Sequence, residues 1–426
     1  MSEPVSAGNG MLGDRPARTL LALSVPAIVV GAVSALVLFA LDRVSHYLQE
    51  LIWNRLPDAV GADGDGVWWI FGTLTLTGLS VGLVARYVPG HAGPDSAASE
   101  LGESVPAPAV VPGLAAAAVL GLAGGVSLGP ENPVIAINTA LLTVLIGRMF
   151  ARVPVRLTVA LTVAGTVGAL FGTPVAAALI FTGLAGSAKS GGALFDKLFL
   201  PLVSAGTGAV TMTLLGGTLL RIRLPAMGSP TGWDVLAGLV IAPLAAAFGL
   251  LGVVVFAWVH RVFHRLRSPV LFSTLGGALL GILGVLGGTV TLFKGAEESV
   301  ELLQHRGNES AWHLLFLAVI KLAALVIAAA AGFRGGRIFP AVFIGVAAGL
   351  ATAAFVPSVP VSLAVSAAVL GVLLAVARDG WLSLFVAVVI TGDVTVTAVL
   401  CLALLPAWLV VTNAPHMLAA AEPQTG

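Results

Sequence analysis

The sequence predicts an all-α polytopic membrane protein whose helices break within the bilayer. Three observations predict it. Only 10% of the residues are charged and 58% are hydrophobic, whereas soluble domains carry roughly 25% charged residues. The apolar runs are long rather than alternating, so helices and not barrel strands must satisfy the backbone in lipid. The chain also holds 52 glycines, which suits helices that pack closely or break at membrane depth. A net charge of +1 gives no basic signal for nucleic acid. The single cysteine, Cys401, excludes an internal disulfide and a cysteine-built metal site; it reads as a small buried apolar residue.

The elements follow in order. Apolar segments run over 20–41, 67–88, 108–128, 133–147, 157–186, 198–220, 235–259, 269–292, 313–332, 338–355, 360–377 and 382–412. Several are shorter than the roughly 20 residues a spanning helix needs. Others are interrupted, as at Gly172-Thr173-Pro174. Short and broken segments together predict re-entrant or discontinuous helices.

The first 19 residues are polar, with Arg15 and Arg18 just before the first apolar run. They read as a cytoplasmic tail before a retained helix, not a cleaved signal. The linker 42–66 carries Asp42, Glu50, Asp58, Asp63 and Asp65 and reads as external. The basic stretch from His260 to Arg267 reads as cytoplasmic, and Glu297-Glu298-Ser299-Val300-Glu301 as external. Residues 413–426 form a C-terminal tail, with no soluble regulatory domain expected.

The breaks recur. Pro133 closes a Gly-rich break, and Phe171-Gly172-Thr173-Pro174 leads into an apolar helix; Gly335-Gly336-Arg337-Ile338-Phe339-Pro340 and Arg378-Asp379-Gly380 repeat the arrangement. Membrane repeats over 20–220 and 221–412 follow, with a binding site expected at their interface. The spacing leaves open whether the halves run parallel or inverted.

Glu131 stands in this frame as an acid at membrane depth, within Gly129-Pro130-Glu131-Asn132-Pro133. Intramembrane acids are costly and mark function. Its neighbours break a helix, which sets the carboxylate at the start of a half-helix, where N–H groups and the positive dipole end attract anions. A carboxylate and a permeating anion can therefore compete for one position. Gly93, Pro94, Gly129, Gly335, Gly336, Phe339 and Pro340 fit such a pore: glycine admits close backbone approach, and proline starts helices.

Arg337 has two readings, a pathway lining or a side chain that snorkels to the surface. Arg334 and Lys321 read first as snorkelling or paired side chains, with a long-range positive field at the pore the other reading for Lys321, and Arg378-Asp379 as a local pair or cap. Asp393 is a substitute proton group or, better, a helix cap. His91 reads as interfacial. No catalytic motif is present, and neither cofactor nor metal is expected.

These residues resemble the CLC family of chloride channels and proton-coupled anion antiporters. His91-Ala92-Gly93-Pro94-Asp95 stands where the family has its first signature, and Gly129-Pro130-Glu131-Asn132-Pro133 where it carries an external gating glutamate. Gly335-Gly336-Arg337-Ile338-Phe339-Pro340 matches the third signature, and Thr391-Gly392-Asp393-Val394 the position of a tyrosine that reaches the central anion. The likeness covers residues 20–412 and is strongest to a bacterial branch of YfeO-type ion-transport proteins. It implies a CLC-like inverted repeat, a homodimer with one pore per subunit in the bacterial plasma membrane, and both termini cytoplasmic. It implies a small inorganic anion as substrate, chloride by default, with protons as a second one in an antiporter.

The resemblance also puts Ala92, Asn132, Ile338 and Val394 among the anion-binding positions, and Glu131 and Asp393 on a proton path. The chain departs from the family in four places, one of them Arg337, which replaces an apolar residue beside the expected pore. Ala92 replaces the signature serine and Val394 the tyrosine, so both hydroxyl donors are absent; the inner proton-transfer glutamate falls near Gly183 or Leu184, neither of which carries a proton. A non-conducting anion sensor or scaffold is the rival from another class.

Overall fold

A computed structural model describes residues 17–93, 105–179, 194–217 and 224–418. In chain order the helices are α1 (Ala17–Glu50), α2 (Leu56–Val60), α3 (Val67–Tyr87), α4 (Val111–Ala123), α5 (Glu131–Met149), α6 (Val155–Phe171) and α7 (Leu194–Leu214). Then come α8 (Gly232–His264), α9 (Pro269–Gly287), α10 (Ala296–Gln304), α11 (Ala311–Ala330), α12 (Ile338–Phe355), α13 (Val361–Ala377), α14 (Gly380–Thr391) and α15 (Thr397–Val411). Among the described residues nine helical stretches are long and apolar enough to cross a membrane. The shorter α4 and α14, of 13 and 12 residues, reach only about 20 Å, less than the ~30 Å hydrocarbon core. They fit the general expectation of short, discontinuous helices, although the sequence placed them within the longer runs 108–128 and 382–412.

The chain folds as two compact units. One comprises the described residues up to Phe39 and those within Leu141–Leu219. Its core gathers Ala27, Val30, Leu142, Ile146, Leu161 and Leu200. Backbones approach closely there: a Cβ on Gly31 would lie 2.2 Å from the Ser204 carbonyl, and one on Gly168 the same distance from that of Ala205. Such small-residue seams let helices pack without a hydrophobic drive between them.

The other unit comprises residues 40–140 and those from 220 onward. At its centre α13 is buried along nearly its whole length. Gly345 and Gly349 of α12 lie against Val369 and Val365 of α13, and Gly371 of α13 against the Ala242 carbonyl of α8. Helices α3 and α9 pack through Gly78 and Gly277.

The breaks recur in register. α4 ends at Ala123 and α11 at Ala330; α5 begins at Glu131 and α12 at Ile338, so each pair is 207 residues apart (123 to 330, 131 to 338). Gly129 and Gly336 share that separation and form an antiparallel bridge. They exchange both backbone hydrogen bonds, Gly129 N–H to Gly336 O at 2.8 Å and Gly336 N–H to Gly129 O at 2.6 Å. Equivalent residues that pair antiparallel are related by a local two-fold axis, which spacing alone could not reveal.

Four sequence expectations change. The linker 42–66 is helical through Val60: α1 runs on to Glu50, then through a π-turn (Leu51–Arg55) into α2. Its acids interleave with apolar residues, and Trp53 is buried with its indole N–H on the Ala123 carbonyl. The run 382–412 divides at Gly392, which ends α14 in the left-handed conformation. Cys401 is exposed rather than buried. Lys321 does not snorkel; it is wholly buried.

Candidate functional site

The N-terminal ends of α5 and α12 meet around one carboxylate. Glu131 opens α5 and is 1% exposed. Its Oε1 accepts the Phe339 N–H at 2.9 Å, and the backbone N–H groups of Ile338 and of Glu131 itself also face the carboxylate. Oε2 has no hydrogen-bond partner among the described residues. Two glycines leave room for it. A Cβ on Gly336 would stand 1.8 Å from Oε2, and one on Gly129 would stand 2.2 Å from it. The paired break therefore builds a slot that only glycine can line while the carboxylate is seated.

The other sequence-predicted residues divide. Gly335 packs against Leu128 beside the slot; Ile338 and Phe339 are buried in the first turn of α12. Asn132 is half-buried in the first turn of α5. Ala92 and Gly93 lie in a left-handed turn, with φ of 50° at His91, 56° at Ala92 and 73° at Gly93. Pro94 lies outside the described residues, as do Gly183 and Leu184.

Left-handed backbone is unfavourable for His91 and Ala92, and Arg334 holds it. The Arg334 guanidinium donates to the carbonyls of Ala92 at 2.9 Å, Gly93 at 3.0 Å and Gly332 at 2.9 Å. Arg334 thus clips the first signature to the third, a role beyond snorkelling.

Arg337 is the N-cap residue of α12 and donates to the Met417 carbonyl. Arg378 donates to the carbonyls of Ala414 and Pro415. Together they fasten the segment after α15, where Met417 is buried. Val394 is 76% exposed, in the short turn before α15, and is not among the residues around Glu131. Asp393 caps that turn, accepting from the Thr395 N–H and hydroxyl and from the Met227 N–H. Burial would raise its pKa, but these bonds outweigh burial and hold the carboxyl below the usual range. Asp379 caps α14.

Lys321 and the acidic run from Glu297, read separately in the sequence, belong to a second charged cluster. Lys321 Nζ donates to the carbonyls of Thr291, Leu292 and Phe293 at 2.9, 2.6 and 2.9 Å. The ammonium also lies over the Phe343 ring of α12. Lys294 pairs with Asp42 at 3.2 Å and Glu297 at 3.4 Å. Only the conjunction of a mid-helix lysine with a Phe-Lys-Gly turn 27 residues earlier (294 to 321) hints at this cluster in the sequence.

Helix N-termini attract anions, and here two of them meet around a carboxylate within a polytopic helical protein. The chain belongs to the CLC family: the family model described as voltage gated chloride channel matches residues 72–412. It is therefore a multi-pass anion-transport protein, not an enzyme. The chain is 47% identical over 404 residues to a protein of Escherichia coli O9:H4 (strain HS) named "Putative ion-transport protein YfeO", covering 94% of this chain and 96% of that one. The YfeO protein of Escherichia coli K12 DH10B is 48% identical over the same coverage.

Solved structures share the fold. A slow cyanobacterial Cl-/H+ antiporter superposes with a TM-score of 0.73 at 15% identity, covering 95% of this chain and 97% of that one. A CLC-type fluoride/proton antiporter gives 0.68 at 18% identity, covering 95% and 98%.

Proposed function

We propose that the protein passes a small monovalent inorganic anion, chloride by default, through a pathway gated by Glu131. One observation carries the reading: the Glu131 carboxylate accepts the Phe339 N–H at the start of α12. A helix N-terminus offers an anion N–H groups and a positive dipole end without a full charge, so binding stays weak enough for release. Ionised Glu131 occupies that position; protonated or swung aside, it frees it. Ala92, Gly93, Pro94, Gly129, Asn132 and the turn Gly335 to Phe339 complete the pathway in this reading. The working unit is a homodimer in the bacterial plasma membrane with both termini cytoplasmic.

Proton-coupled antiport of chloride or fluoride is the second reading. The unbonded Oε2 of Glu131 favours it, because a carboxyl with a free oxygen is ready to take a proton. Two proteins of the same fold are described as such antiporters.

Flux from liposomes holding the purified protein tests both. Chloride, fluoride and nitrate are each loaded, internal pH is followed with anion loss, and Glu131→Gln is run beside the parent. Anion loss without proton movement supports the channel. Opposed proton movement that vanishes in the variant supports the antiporter. No flux of any anion from folded protein sinks the transport mechanism and favours a sensor or scaffold.

A further inference from the structure

A narrow cleft with room for about one water is lined by Asp42 and His46 of α1, by Lys294, and by Glu297 and Glu298 of α10, and it reaches Pro130, the residue before Glu131. A second cleft, lined by Glu50, Asn54, Asp65 and Thr289 as well, shares His46, Gln49 and Phe293 with it. Glu298 is 7% exposed. Its Oε2 accepts no hydrogen bond among the described residues.

The chemistry of this carboxyl follows from its neighbour. Lys321 is the principal positive charge acting on it. Yet the Lys321 ammonium has spent its three donors on the carbonyls of residues 291–293. Glu298 therefore receives the field of a cation without a hydrogen bond from it. The other charged or titratable groups around it are Lys294, Glu297, Asp42 and His46, and Lys294 is already paired with Asp42 and Glu297. Burial pushes the Glu298 carboxyl upward against the pull of Lys321. A buried carboxyl with a free oxygen that faces a solvent-reaching cleft suits proton capture.

We propose that Glu298 is a proton-loading site for Glu131. A proton leaves a hydronium ion in the cleft and binds Glu298 Oε2. It then passes through cleft water to the free Oε2 of Glu131, and Glu298 returns to its ionised form. No electron moves, and one proton is carried. This inference rests on the reading of Glu131 as the gate; capture at Glu298 itself does not.

Two measurements keep those parts distinct. Carbodiimide modifies protonated, water-accessible carboxyl groups, so mass mapping of the parent protein in detergent reads Glu298 directly. Labelling of Glu298 that rises as pH falls is expected, and none at any pH overturns the proposal. This arm needs neither a variant nor flux. In liposomes, an external acid jump should open the parent, and Glu298→Gln should slow that response by about tenfold or more. Glu301→Gln, an exposed acid on the same helix, should respond like the parent. A parental response in Glu298→Gln overturns the relay. Absence of anion flux in the parent refutes the gate reading, and carbodiimide mapping then decides proton capture alone.

Discussion

Replacing Gly336 by alanine should open the pathway without touching Glu131. The new Cβ would stand 1.8 Å from Glu131 Oε2 and 2.5 Å from its Cδ, but 3.0 Å from its Cβ. The clash therefore falls on the mobile end of a side chain, and Gly336 has no positive φ that would strain an alanine. The carboxylate must leave the slot and give up the Phe339 N–H. A hydrogen bond to a charged group is worth about 1.5–3 kcal/mol net. At about 1.4 kcal/mol per tenfold, the balance between seated and displaced carboxylate moves by roughly 10- to 150-fold. Where displacement limits flux, chloride loss from liposomes at neutral pH should rise toward that of Glu131→Gln. The thermal midpoint in detergent should fall by no more than the lost hydrogen bond accounts for, because the three atoms nearest the new methyl all belong to the Glu131 side chain. Unchanged or slower flux with a midpoint within that limit would refute the view that the seated carboxylate blocks the path.

Other perturbations follow from the same contacts. Arg334→Ala removes the donor to four carbonyls, those of His91, Ala92, Gly93 and Gly332, and frees a turn whose two left-handed non-glycine residues cost roughly 1–2 kcal/mol each. Differential scanning fluorimetry should show a lower midpoint, and Arg334→Lys should not restore it, since an ammonium lacks the planar fork. Lys321→Met strands three buried carbonyls, at about 1–3 kcal/mol each; yield of folded protein on size-exclusion chromatography should collapse. Asp393→Ala should cost about 0.5–2 kcal/mol as a lost cap and leave proton movement unaltered. The Asp393 carboxyl is held below its ordinary range, so its stabilisation is complete above the unfolded pKa of about 3.9. It is lost as pH falls through the folded value. An acid limb in midpoint against pH that persists undiminished in the variant would contradict this.

Glu131 was legible because its signal is local: an acid between helix breakers in an apolar run. The glycines of the slot were legible for the same reason, since a break at membrane depth needs them. The depth of Lys321 was not legible, because a lone lysine in an apolar helix writes the same sequence whether it snorkels or is buried. What decides is the turn of residues 291–293, whose carbonyls collect on the ammonium. Glu298 was hidden in an acidic run that looks like any outward-facing loop. The exposure of Val394 was not legible from its order along the chain: Gly392 ends α14, and in the turn that follows Asp393 and Val396 are buried while Val394 points outward. Met417, which carries no motif, is the residue tied to Arg337.

The donors around the carboxylate also bear on ion choice. Ala92 offers no hydroxyl, and the carbonyls of the 91–93 turn are directed to Arg334. What faces the Glu131 position is backbone N–H from residues 338 and 339, with the Arg337 charge acting on it as well. A site of few, fixed dipoles recovers little of the hydration energy that an ion loses on entry. Fluoride, the smallest and most strongly hydrated of the three test anions, then pays the largest uncompensated cost, and nitrate the smallest. Flux from liposomes should therefore fall from nitrate through chloride to fluoride, and Glu131→Gln should raise all three without reordering them. A preference for fluoride would mean that donors beyond these N–H groups enter the pathway, and Arg337 would be the first to test: Arg337→Met should then abolish the preference while sparing nitrate.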